Sequence, residues 1–263
     1  MVPVLSNIIF ISLISFVVFF IILLALKNGS IGSCKNYILN VYLYVAFSYL
    51  FTRICIYIID IIYNNDGLTD NLIIENDGIF IASCVMALVS LTLITLTTNI
   101  YKTYILYFIF LMSLSFILRP IFKYKETVDV VNNSLLQTVF MLLIMSIVSI
   151  LFSKYIDRYG NFILTGLVVG LFSIIIMTIY NIETNRYDIQ ALIEKQQLIT
   201  YFSIVIFAMF LAYDSYRIRE NALMCPLNGN KSSANYPKAS LNIYLDIINT
   251  LINLFNIHLD LQF

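Results

Sequence analysis

The chain reads as an all-α, polytopic membrane protein, and three observations predict that class. It is 60% hydrophobic and only 11% charged, whereas soluble domains carry about 25% charged residues. Its mean hydropathy is +0.90. Its apolar residues gather in runs near 3–26, 38–63, 79–98, 103–119, 134–153, 161–182, 197–213 and 239–258. Most of these reach the roughly 20 residues that a helix needs to cross a bilayer. Polar breaks such as NNDGLTDN and LNGNKSSANYPK separate them. Seven or eight helices in one membrane domain are expected.

Taken in order, the first run, NIIFISLISFVVFFIILLAL, has no basic segment before it and no small-residue cleavage pattern after it. Residues 1–37 therefore read as an extra N-terminal hydrophobic helix or uncleaved signal-anchor with a short loop, ahead of a membrane domain at 38–263. The second run carries Arg53, expected to snorkel or to pair with an internal carboxylate. It closes near Asp60, which reads as a helix-end residue at the surface. The stretches 79–98 and 103–118 contain no charged residue, and Lys102 lies between them. In 161–182, Gly166 and Gly170 have the GxxxG spacing that lets helices approach closely; core packing is the expected use. Tyr63, Tyr101, Tyr155 and Tyr187 stand at run ends, where tyrosines anchor to the membrane interface.

Lys27, Lys35, Lys102, Lys154, Arg158, Arg217, Arg219, Lys231 and Lys238 fall in alternate loops. The positive-inside tendency assigns those loops to the cytosol, although Arg119, Lys123 and Lys125 oppose it. Cys34, Cys55, Cys84 and Cys225 show no CxxC spacing and read as inert membrane thiols. One histidine, His258, cannot build a histidine metal site alone. A net charge of zero with scattered basic residues gives nucleic acid no footprint.

The last run, SLNIYLDIINTLINLFNIHLDLQF, has the most informative pattern. Asn242, Asp246, Asn249, Asn253, Asn256 and Asp260 recur at steps of four and three, so they share one stripe of a helix. An ionised Asp at membrane depth costs about 3 kcal/mol or more unless it faces water, a partner or another helix. Asp246 is thereby a functional candidate. Asp214, in IVIFAMFLAYDSYRIRE, is the second. It has two competing uses, an ion pair with Arg217 three residues on or an inward lean toward Asp246.

The strings ASLNIYLDIINTLINLF at 239–255 and FLAYDSYRI at 210–218 resemble the last two helices of the Bax inhibitor-1 family, the transmembrane Bax inhibitor motif proteins. VYLYVAFSYLFT at 41–52 is similar to that family's first core helix, and SKYIDRYGNF at 153–162 to its short basic-acidic cytoplasmic turn. The resemblance implies a seven-transmembrane-helix bundle over about 38–258 with one further helix before it. It also implies that Asp214 and Asp246 form a buried pair that senses pH, gates, and presents oxygen ligands to calcium. Two carboxylates close together in a dry bundle cannot both ionise cheaply, so such a pair titrates as a unit. Asn242, Asn249, Asn253 and Asn256 would line the aqueous path. The implied function is a pH-sensitive calcium leak, or regulation of calcium stores, that suppresses cell death. Its partners would be the lipid bilayer, calcium ions and other membrane proteins of cell-death control. No cofactor is implied beyond calcium as the permeant ion. The expected home is an endomembrane, endoplasmic reticulum or Golgi, rather than the plasma membrane.

Two departures stand out against this pattern. The connection from Arg217 to Lys238 is longer than the family's, and the stretches 79–98 and 103–118 lack the charged residues that assist the pair elsewhere in the family. Rival readings come from other classes. An interaction protein without conduction would keep the fold. An intramembrane aspartyl protease would also use Tyr213-Asp214 with Asp246, but its second Asp belongs in GxGD, and Ile243-Tyr244-Leu245 precedes this one. A rhodopsin-like receptor would explain Asp157-Arg158-Tyr159 only if the tripeptide followed a third helix. No enzymatic activity is expected.

Overall fold

The computed structural model describes Cys34 and residues 36–65, 77–123, 128–185, 189–225 and 235–260. The expected first helix at 3–26 lies outside them, as do Asp66, Asp70, Glu75, Lys125, Tyr187 and Lys231. Seven helices fill the described residues: α1 Tyr37–Asn65, α2 Asp77–Leu96, α3 Ile100–Lys123, α4 Val128–Leu151, α5 Ser153–Thr184, α6 Ile189–Met224 and α7 Tyr236–Asp260. Six of them, α1 to α6, contain segments long and apolar enough to cross a membrane. The polar stripe of α7 keeps it out of that set.

Most helices outrun the apolar runs that announced them, because a helix does not stop where lipid does. The difference matters twice. α6 continues to Met224, so Asp214 lies more than two turns inside a helix rather than near its end. The segment SKYIDRYGNF, expected as a turn, forms the opening turns of α5. Only Phe152 separates α4 from α5, and its N–H still bonds Val148 O at 2.9 Å. Local chemistry sets other boundaries. Asn99 Oδ1 accepts from Tyr101 N and Lys102 N at 3.0 and 3.3 Å and caps α3. Asn235 Oδ1 accepts from Lys238 N at 3.2 Å and caps α7, with Pro237 in the first turn, where its missing N–H has no helical role.

The chain divides into two compact units. The first holds α1, α2, α3, the end of α6 from Asn221 and the start of α7 to Leu241. α3 packs against both α1 and α2, burying Val41, Val45, Ile94, Leu111 and Leu118. Polar bonds fasten the start of α7 in this unit. Tyr107 Oη contacts Ser48 Oγ and lies 3.2 Å from Ser240 Oγ. Asn235 Nδ2 donates to Thr103 Oγ1 at 3.2 Å and Lys238 Nζ to Thr95 O at 2.8 Å. Tyr44 joins Tyr104 through a 2.8 Å hydroxyl contact and stacks on Tyr236.

The second unit holds α4, α5, α6 to Glu220 and the rest of α7. Ile156, Leu167 and Tyr213 form its core, with Ile163, Leu164, Ile206 and Phe210 against them. A Cβ added at Gly170 would stand 2.8 Å from Ile206 Cδ1, whereas one at Gly166 would meet nothing within 4 Å. The GxxxG spacing therefore serves helix packing within this unit through one of its two glycines. Asn181 ties the α5–α6 hairpin, with Nδ2 donating to Leu192 O at 3.1 Å and its own oxygens accepting from Asn185 Nδ2. Elsewhere α4 and α5 expose Phe140, Leu143, Ile147, Phe172, Ile176 and Ile179. So continuous an apolar surface fits contact with lipid. Ser and Thr within the spans donate back to their own helix, as Ser113 does to Ile109 O and Ser173 to Val169 O.

The reading of all four cysteines as inert thiols needs correction. Cys34 and Cys225 form a disulfide across 191 residues of sequence, with Cα atoms 5.6 Å apart, while Cys55 and Cys84 are free. No local spacing announces a bond between such distant residues. Disulfides persist in oxidising compartments, the side opposite to that assigned by the Lys and Arg bias to the segments holding Cys34 and Cys225. Under non-reducing conditions the full chain is expected to migrate faster on a denaturing gel, and Cys34→Ser or Cys225→Ser should abolish the shift and cost about 2–5 kcal/mol of stability. Two free thiols at these positions in intact membranes would leave the charge-based orientation standing.

Candidate functional site

Asp246 lies on α7 and Asp214 on α6, both within the second unit. The helical spacing of α7 turns Ile243, Tyr244, Ile247, Ile248, Leu251 and Phe255 inward, so this helix packs against protein along its apolar side. Asp246 is carried inward with them and is 7% exposed. Asp214 follows the buried Tyr213 on a helix whose apolar stretch supplies Phe207, Ala208, Leu211 and Ala212 to the interior. Each carboxyl group is an electrostatic neighbour of the other. Arg217 is the cationic neighbour of Asp214 and also stands 6.0 Å from the centre of the Tyr213 ring. Asp214 thus has both Arg217 and Asp246 as electrostatic neighbours.

Bare carboxylates only accept hydrogen bonds, so two of them in contact repel unless a proton lies between them. Asp246 Oδ2 is buried and receives no hydrogen bond from the described residues, and the same holds for Thr250 Oγ1 one turn further along α7. Buried polar atoms are normally satisfied. Two orphans on one helix, beside a second carboxyl group, leave oxygen lone pairs available to a proton, a water or a cation. Ser215, next to Asp214, is buried and lies 3.3 Å from Ser146 of α4 through their hydroxyls.

The Asn stripe divides. Asn249 and Asn253 are half-buried, and Asn253 Nδ2 donates to Asn249 O at 2.8 Å. Asn242 and Asn256 are exposed. Arg53 is half-buried on α1, with Tyr49 as an electrostatic neighbour. The side chains of His258 and Asp260 lie outside the described residues. Among the described residues no cluster of three or more His, Cys, Asp or Glu is present.

A second charged feature was misread from sequence. Asp60 is not a solitary surface residue; its Oδ1 accepts from Arg119 Nε at 2.5 Å, and the Arg119 side chain is 3% exposed. The signal for this pair was present. An Asp and an Arg inside apolar runs each demand a partner, so the expectation of Asp60 as a helix-end residue at the surface and of Arg119 as a loop charge gives way to a pair. Arg119 is buried while the Asp60 side chain is 27% exposed, so removing one member costs about 1–3 kcal/mol, short of the loss for a fully buried pair. Asp60→Asn and Arg119→Gln are each expected to lower the unfolding midpoint in detergent by that amount, and the double variant should lose less than the sum. Additive losses would mean that the two groups do not interact.

Comparison with known proteins follows the same lines. The family model described as "Inhibitor of apoptosis-promoting Bax1" matches residues 34–262, a span that includes all seven helices and excludes the first apolar run. No curated protein and no solved structure matches the chain. With the match covering most of the sequence, the chain belongs to the family of inhibitors of apoptosis-promoting Bax1, the Bax inhibitor-1 family, as a multi-pass helical membrane protein.

Proposed function

We propose that this protein is a proton-sensitive leak for calcium in an endomembrane, with Asp214 and Asp246 as its gate, and that through calcium it restrains cell death. What supports the reading is the placing of two carboxyl groups from different helices as electrostatic neighbours, beside the unsatisfied Asp246 Oδ2 and Thr250 Oγ1. With one proton between them, the carboxyl groups link α6 to α7 by a hydrogen bond. Loss of that proton turns the link into repulsion and offers oxygen ligands to a hard cation.

Calcium takes six to eight oxygen ligands in a stable site. Two carboxylates and a hydroxyl supply fewer, which suits an ion in transit better than one held. Asn249 and Asn253 continue the polar stripe away from Asp246 and would line the route, with Asn242 and Asn256 at its exposed ends. Arg217, facing Asp214, would compete with the cation for that carboxylate.

The test is calcium flux in liposomes carrying the purified protein across a pH series. Wild type is expected to leak with a clear pH dependence, and Asp214→Asn and Asp246→Asn should each flatten it, since an amide cannot exchange the proton. A folded protein that leaks at no pH would overturn the leak. It would leave the other reading open, an interaction protein that modulates cell death on the same fold.

A further inference from the structure

Asp157-Arg158-Tyr159 has no part in the carboxyl pair, yet it lines an open cavity at the surface of the second unit. Between the first turns of α5 and the last turns of α6, within the second unit, an open cavity of about 480 Å³ is lined by Asp157 and Arg158 on one side and Arg217 and Glu220 on the other. That volume falls in the range of small-ligand sites, about 300–1,000 Å³. Tyr216 donates a 3.0 Å hydrogen bond to Asp157 Oδ1 and so joins the two helices at the site. The α5 backbone at Gly160 passes beside the Tyr213 ring, where an added Cβ would make an ordinary contact at 3.7 Å from Tyr213 Cε2. Tyr159 adds a second ring, with Arg158 5.5 Å from its centre.

We propose that this cavity binds the headgroup of a zwitterionic phospholipid, with the phosphate diester against Arg158 and Arg217 and the ammonium against Asp157, Glu220 and the tyrosine rings. Three features favour this ligand. The lining carries two positive and two negative side chains, so a ligand of one sign would always meet like charges. Guanidinium groups match phosphate geometry, while carboxylates and tyrosine faces attract an ammonium. The cavity also opens where two apolar helices become polar. Phe162 on its rim is 81% exposed, and Val169, two turns further along α5, is 59% exposed; acyl chains can lie along that surface. A soluble phosphate ester bearing an ammonium shares the headgroup chemistry but would leave the apolar rim uncovered.

Native mass spectrometry of the full chain in mild detergent tests this with phosphatidylethanolamine, phosphatidylglycerol and soluble phosphoethanolamine as probes. Phosphatidylethanolamine should be retained in preference to phosphatidylglycerol. Arg158→Gln and Glu220→Gln, both at exposed side chains, should each weaken retention by about tenfold, the size expected for loss of a charge-assisted contact, with helix content unchanged by circular dichroism. Equal retention of the anionic lipid, or undiminished retention in both variants, would overturn the proposal. Displacement of the lipid by an equal concentration of phosphoethanolamine would overturn the lipid assignment in favour of a soluble ester. These readouts are independent of whether the protein conducts calcium.

Discussion

Inside a bilayer no water is at hand to complete a hydrogen bond, so every polar group on a spanning helix must find its partner within the protein. That constraint accounts for most of the specific contacts in both units. Serines and threonines turn back onto the carbonyls of their own helix. Tyr44, Tyr104 and Tyr107 spend their hydroxyls on one another and on serines. Asn181 closes a hairpin by filling both donor and acceptor positions. Apolar packing distinguishes the helices less, because lipid is as apolar as the residues that face it. Polar pairing therefore helps to choose a neighbour where it crosses between helices, as at Tyr44–Tyr104 and Ser48–Tyr107.

Charged groups meet the same constraint in two ways. Asp60 and Arg119 answer it with opposite charges and a short contact, an arrangement suited to permanence. Asp214 and Asp246 set two groups of the same kind beside each other, and two carboxylates repel unless a proton lies between them. One pair joins opposite charges and the other sets like groups side by side, although the residues differ by a single side chain. Membership of the Bax inhibitor-1 family makes the second pair the natural place to look for function.

The helical class and most of the described spans were legible in the sequence, and so was the candidacy of the two aspartates, because lipid imposes a strong one-dimensional signal. Apolar length marks a span, and an acid within it stands out. The helix ends were less legible, since α6 runs past Tyr213 and α5 begins at Ser153 with residues whose polarity suggested a turn. Their helical state comes from continuing backbone bonds, not from hydropathy. Partnerships between distant residues were least legible. Asp60 and Arg119 each call for a partner without saying which, and nothing near Cys34 points to Cys225; each partnership depends on how separate helices pack. The Asp157-Arg158-Tyr159 tripeptide likewise acquired a surrounding only when α6 supplied Arg217 and Glu220.

The disulfide has a topological consequence. By joining Cys34 to Cys225 it closes a covalent ring that contains α1 to α6, while α7 hangs from the ring by the segment between Cys225 and Tyr236. One break of the main chain anywhere within the ring leaves its pieces covalently joined. A break between Cys225 and Tyr236 instead separates α7, and Asp246 with it, from the chain that carries Asp214. The helix bearing half of the carboxyl pair is thus the described helix whose attachment rests on a single stretch of backbone.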